Sequence, residues 1–295
     1  MFTLTHKVPL PSGRALAIAR GGTTVIAAQY DGALRVWDAA TLEERRALSA
    51  GKAPRVAIVA PDGARLVAGN KTLTSWSTET WKKAGSFKGH KREVGCAAFA
   101  PDGKTLWAGG RSNVAPSDTS VRAWDVATGA EKLRCLADGG DKEGLAFSPD
   151  GARLAVRTAA CEVVLLDAAT GDVVWRTPDT RVFALAFTPK GRLVGTSDVD
   201  LLCELDTATG ERRSLAPPVR FGAALAISSD GATAFVASAA DGAAVLTAVD
   251  LATGSATTCC EIGPARPVAM AITPDDRRLF LVAWAYDQLL VFDRA

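Results

Sequence analysis

A short turn signal returns along this chain, and it constrains the fold more than any other feature. Arg20-Gly21-Gly22, Pro61-Asp62-Gly63, Pro101-Asp102-Gly103, Pro149-Asp150-Gly151, Pro189-Lys190-Gly191, Ser229-Asp230-Gly231 and Pro274-Asp275-Asp276 open seven units, at steps of 41, 40, 48, 40, 40 and 45 residues. Each is a tight turn, because proline presets φ at the first central position and glycine accepts the positive φ many turns need. A fixed period of this size marks a repeat array. An apolar strand precedes each turn, as in Leu145-Ala146-Phe147, and another follows, as in Arg153-Leu154-Ala155-Val156. A third strand closes on an apolar residue plus Asp: Val36-Trp37-Asp38, Ala123-Trp124-Asp125, Leu166-Asp167, Leu205-Asp206, Val249-Asp250 and Phe292-Asp293. In four units Ala-Thr-Gly then turns the chain into a fourth strand. Four short antiparallel strands cannot bury both faces alone, so the units must stack.

With seven turns, an apolar-Asp pair in six of the units and Thr-Gly in four, always in that order, the chain resembles the WD-repeat family in a bacterial-type, degenerate form. The resemblance covers essentially the whole chain. It implies an all-β fold, a seven-bladed β-propeller of four-stranded antiparallel blades in one domain, 1–295. The units run approximately 15–52, 53–91, 92–139, 140–180, 181–219, 220–265 and 266–295 with 1–13. The last unit ends on its third strand, Leu289 to Phe292, so the alternating stretch Phe2 to Val8 is expected to supply the fourth and close the ring. The family implies a rigid platform for other proteins. Its pattern also includes a Gly-His whose histidine joins a Ser or Thr, an Asp and the Trp in a buried network. Gly89-His90 matches, and Asp118 lies six residues before Trp124 as Asp31 lies six before Trp37, but Ala108 stands at the Ser position. His90, Asp118, Trp124, Asp31 and Trp37 are therefore the implied structural residues. The later units are also similar to bacterial propeller repeats related to lactonases, which supplies an alternative: a hydrolase or lactonase-like enzyme with its site on the central axis.

Composition excludes several functions. Lys and Arg number 34 against 32 Asp and Glu, a formal charge of +2, so no global field draws the chain to nucleic acid or an anionic membrane. No apolar run reaches the length of a membrane span, and the first residues lack the apolar core of a secretory signal, so a cytoplasmic protein is expected. Six scattered cysteines, no C-x-x-C and two histidines argue against zinc and against a disulfide framework. Hydrolase and nucleotide-binding motifs are missing. Gly103-Lys104-Thr105 lacks the glycine a phosphate loop would need at Ala98, and Asp138 to Glu143 lacks calcium-loop spacing. No cofactor or metal is expected, and no small-molecule substrate. At the starts of the inner strands an enzyme would converge polar side chains, whereas the positions read from sequence are Val56, Val94, Glu143, Val182 and Val268.

Protein partners remain, and loops are where a scaffold carries recognition. Third-unit residues Gly109 to Asp118 form the longest connection between second and third strands, and should share a face with the connections entering each blade. The candidate contact residues are Lys88, His90, Lys91, Arg92, Arg111, Asn113, Asp138, Asp141 and Glu143, opposite charges at short range that suit selection between protein partners. The basic run Lys82, Lys83, Lys88, Lys91 and Arg92 reads as solvated lysines, and Trp76, Trp81, Trp107, Trp175 and Trp284 as packing between blades.

Overall fold

The computed structural model describes residues 1–111, 118–136, 140–178, 180–217, 221–240, 243–284 and 287–295. Its strands form seven antiparallel sheets of four. Blade 1 runs outward through Gly13–Ala19, Thr24–Gln29, Ala33–Asp38 and Glu44–Ser49. The innermost strands of blades 2 to 7 are Val56–Val59, Glu93–Phe99, Lys142–Phe147, Val182–Phe187, Phe221–Ile227 and Arg266–Ile272. Each innermost strand touches those of both neighbouring blades, and the cycle closes from blade 7 to blade 1.

Closure comes from the N-terminal strand, as the missing fourth strand of the last unit required. Phe2–Pro9 pairs antiparallel with Gln288–Arg294, from Phe2 opposite Arg294 to Pro9 opposite Gln288. Phe2 is buried in the core between blades 6 and 7, edge-on to Phe235 with ring centroids 5.0 Å apart. Truncating such a ring costs about 3–5 kcal/mol, so one side chain from the far end of the sequence holds much of the seam.

The core consists of seven clusters, one per junction between blades. Side chains alternate across a strand, and the second strand of blade 1 shows the consequence. Val25 and Ala27 pack toward blade 7, while Ile26 and Ala28 pack toward blade 2. A strand buried on both faces is apolar along its middle, as these four residues are, with the buried polar Thr24 and Gln29 at its ends. The residue before the closing Asp or its equivalent, Trp37, Trp76, Trp124, Leu166, Leu205, Val249 or Phe292, always fills the junction with the preceding blade. Trp107 and Trp175 also pack between blades, Trp107 edge-on to Phe147. Trp81 lies against the junction of blades 1 and 2, and the side chain of Trp284 is outside the described residues.

Turns between first and second strands form a second ring, on what is called here the lower face. Gly63, Gly103, Gly151, Gly191 and Gly231 all adopt φ between 66° and 80°. Most also abut the preceding blade. A Cβ on Gly151 would stand 3.3 Å from Cδ of Pro101, one on Gly231 3.0 Å from Pro189, and one on Gly22 2.8 Å from Pro274. Blades 6 and 7 break the rule on both sides at once. Asp276 occupies the glycine position at φ 56°, and Ser229 occupies the proline position. The Ser229 N–H donates to both Asp276 carboxylate oxygens at 3.0 Å, and its hydroxyl donates at 2.8 Å. A proline there has no N–H to offer, so the two exceptions form one exchange. Arginines add further ties: Arg192, paired with Glu204 at 2.8 Å, reaches from blade 5 to the Leu251 carbonyl at 2.6 Å, and Arg278 reaches from blade 7 to the Ala39 carbonyl of blade 1.

Candidate functional site

In an antiparallel blade the start of the first strand lies beside the end of the second. The entering connections and the second-to-third connections therefore share the face opposite the turn ring, the upper face. The central channel opens there. In six blades the pairing of first and second strands skips one residue: Arg14, Gly95, Glu143, Phe183, Ala223 or Val268. Each stands six positions before the first residue of its turn, and in blade 2 that place is held by Arg55, whose N–H donates to the Gly69 carbonyl at 3.0 Å. A bulge re-aims the side chain of the extra residue. The axial positions read from sequence are corrected accordingly. Val56, Val94 and Val182 are buried in junction cores, whereas Arg55, Gly95 and Phe183 hold the axial register; Glu143 and Val268 keep the places expected of them. One inserted residue reverses the parity of a strand, which counting from the first apolar residue could not register.

The mouth is consequently charged on one side and apolar on the other. Arg14 and Arg55, from adjacent blades, line a cavity of about 460 Å³ with Gly95, Cys96, Glu143 and Val268. Gly95 leaves room that no other residue could, since a Cβ would stand 2.2 Å from the Lys142 carbonyl oxygen. Arg55 pairs with Glu93 at 3.0 Å, and Glu93 accepts from Asn70 at 3.4 Å. Arg111 lies 3.6 Å from Asp141 and 3.4 Å from Glu143, which also pairs with Arg157 at 2.9 Å. Arg14 stacks on Tyr30, its guanidinium carbon 4.3 Å from the ring centroid. Burial, then the neighbouring Arg55 charge, lowers the proton affinity of Arg14. The Cys96 thiol is pushed up to about 12, chiefly by burial. Lys142 is fully buried, with its ammonium donating to the Gly140 carbonyl at 2.6 Å.

Large apolar side chains surface at the same mouth. Tyr30 is 55% exposed, Phe183 38% and Val199 39%. Tyr30 and Val199 sit in second-to-third connections and Phe183 on a bulge, so all three belong to the upper face.

A second constellation joins blades 2 and 3. Asp118 is buried and accepts from the Lys91 N–H at 3.0 Å, the Ser120 hydroxyl at 2.7 Å and the Arg122 guanidinium at 2.9 Å. Burial alone would raise its carboxyl, but hydrogen bonds from Ser120 and Lys91 and the charges of Arg122 and His90 hold it at about 2. Arg122 also pairs with Glu131 at 2.8 Å. The indole of Trp124 donates to the Lys88 carbonyl at 2.9 Å. His90 is buried against that indole with ring centroids 5.7 Å apart, its Nδ1 is 3.8 Å from Asp118, beyond hydrogen-bond length, and the polar neighbour that supports its ring is the Ala108 backbone. Burial pushes its pKa down to about 4. The hydrogen-bond centre of the network is thus Asp118 with Ser120 and Arg122, and His90 fills space beside it. Asp31, the position equivalent to Asp118, is exposed and caps the Ala33 N–H at 2.9 Å, although Trp37 is buried like Trp124.

The candidate contact residues therefore divide. Lys88, His90 and Lys91 belong to the junction of blades 2 and 3, with Lys88, Lys91 and Arg92 exposed. Arg111, Asp141 and Glu143 come together at the axial mouth. Asn113 and Asp138 lie outside the described residues. Sequence reading missed Arg14, Arg55, Glu93, Arg157, Tyr30, Phe183 and Val199; counting back six positions from each turn would have found three of them.

A family profile described as outer membrane protein assembly factor BamB matches residues 90–282, more than half of the chain. No curated protein matches it.

Proposed function

The chain belongs to the propeller family of the outer membrane protein assembly factor BamB, and from that premise we propose that it is a non-enzymatic interaction platform whose partner proteins dock on the upper face. One observation carries the reading: Tyr30, Phe183 and Val199 surface around a mouth lined with arginines and carboxylates. Exposed aromatics set among arginines are the composition of interface hot spots. The thiol in the axial cavity, Cys96, is held protonated, which goes against nucleophilic chemistry there. Trp37-Asp38 and Trp124-Asp125 keep the aromatic-acid pair of WD repeats, and within the family we read the units as WD-type. All six cysteines are unpaired, which fits a reducing compartment, the cytoplasm; quantitative alkylation of protein freshly released from its host checks this.

The test of docking is capture from the native host with the triple variant Tyr30→Ser, Phe183→Ser and Val199→Ser beside Val173→Ser with Val174→Ser, exposed valines of an outer strand. The first variant should lose the partner at an unchanged melting temperature, and the second should keep it. Retention by the first would remove the upper face as the docking surface.

A further inference from the structure

Within that docking reading, the axial mouth specifies the chemistry of what enters it. Seven equivalent positions surround the channel, and two neighbouring ones carry guanidinium groups, Arg14 and Arg55, on adjacent inner strands. Both line the same cavity of about 460 Å³, to which the next two blades contribute the glycines Gly95 and Gly144. Stacking on Tyr30 restrains Arg14, and the pair with Glu93 restrains Arg55, so neither fork must be ordered when a guest arrives. A planar fork matches a carboxylate in two parallel hydrogen bonds.

We propose that the upper mouth of the channel takes a single carboxylate from an acidic segment of the partner protein, held between the guanidinium groups of Arg14 and Arg55.

Charge at the rim favours one anion over many. Among the described residues, Arg14, Arg55, Arg111, Arg157 and the buried Lys142 face Glu93, Asp141 and Glu143. A monoanion finds an excess of cations, whereas a dianion or a row of phosphates would meet Glu93 and Glu143 at close range. Phe183 and Val199 stand exposed on the blade 5 side of the same face, where they offer apolar contact to the residues flanking the inserted acid. The partner segment is therefore amphipathic, with an acidic residue among apolar ones.

The probe is a fluorescein-labelled octapeptide with one Glu set among Leu and Ser, compared by anisotropy with the same peptide carrying Gln for Glu. The Glu peptide should bind at least tenfold more tightly. Arg14→Gln combined with Arg55→Gln should abolish that preference. Arg14→Lys with Arg55→Lys keeps the charge but loses the fork, and should retain only part of the preference. Arg277→Gln on the lower face should change nothing. Equal binding of the two peptides, or an undiminished preference in the Gln double variant with a native circular dichroism spectrum, overturns the proposal. So does displacement by inorganic phosphate at concentrations equal to the peptide, which would mark a free-anion site. A failed peptide together with partner loss in the Tyr30, Phe183 and Val199 variant condemns the inserted carboxylate and leaves the docking face standing. A peptide that responds to Arg14 and Arg55 while that variant keeps its partner condemns the docking face and leaves the carboxylate site standing.

Discussion

At the lower face, a turn glycine lies against the proline of the preceding turn at four junctions, Gly22 on Pro274, Gly103 on Pro61, Gly151 on Pro101 and Gly231 on Pro189, and between blades 6 and 7 the pair Asp276 for glycine and Ser229 for proline holds the junction by hydrogen bonds instead. At the upper mouth, the equivalent positions run Arg14, Arg55, Gly95, Glu143, Phe183, Ala223 and Val268, from guanidinium through glycine and carboxylate to apolar residues of three different sizes. Both rings are built from the same repeats at the two ends of the same inner strands. A turn that must accept positive φ and lie against its neighbour leaves little freedom of sequence. A side chain projecting from a bulge into an open channel is under no such constraint. The difference shows which end of the inner strands ring closure constrains and which end it leaves free to vary.

The comparison presupposes an intact ring, so the largest effect should follow from opening it. Removing residues 1–9 takes away the outer strand of blade 7 and Phe2 from the core between blades 6 and 7. Phe2→Ala alone should cost about 4 kcal/mol, or roughly 10 °C in melting temperature, and the deletion should cost more or drive aggregation through the exposed edge. A melting curve unaffected by the deletion would mean that the seam is held elsewhere.

A smaller effect separates the upper junction from the lower ring by pH. The folded protein keeps His90 neutral, with its pKa lowered from 6.5 to about 4. The unfolded chain binds that proton first as pH falls, so stability is constant above pH 6.5, declines from 6.5 to about 4, and levels off below. The loss amounts to about 3 kcal/mol. Asp118, lowered from 3.8 to about 2, contributes stability above pH 3.8 that is lost only as pH falls from there toward 2, so the two windows separate. Urea denaturation between pH 7.5 and 4 should show this slope in the native protein and a flatter one in His90→Gln; equal slopes would exclude His90 as its source.

The smallest effect tests the lower rule itself. Ser229→Pro removes the N–H and hydroxyl that hold the buried Asp276 carboxylate, and should cost about 2 kcal/mol. Adding Asp276→Gly restores the glycine-proline pair seen at four other junctions and should recover most of the loss, a coupling above about 1 kcal/mol in a double-mutant cycle. Additive costs would show that the two exceptions arose independently.

How much of this was legible in the sequence follows from the same contrast. The turn triplets and the apolar-Asp pairs carried the seven blades, their four strands and the N-terminal closure, because those features are dictated by backbone geometry and by burial. The axial register was not legible from strand starts, since one bulged residue moves Val56, Val94 and Val182 into the core and brings Arg55, Gly95 and Phe183 to the channel. The pairing of Arg111 with Asp141 and Glu143 could be read from topology. Arg122 as the partner of Asp118 could not, because the family pattern directed attention to His90.

The most direct measurement is site-specific photo-crosslinking in the native host, with benzoylphenylalanine at positions 30, 183 and 199 of the upper face and 62, 190 and 277 of the lower. A common crosslinked protein at the upper positions, absent from the lower ones, is the result expected of a docking face set around the axial mouth. Crosslinks to the same protein from the lower turn ring, with none at 30, 183 and 199, would contradict it.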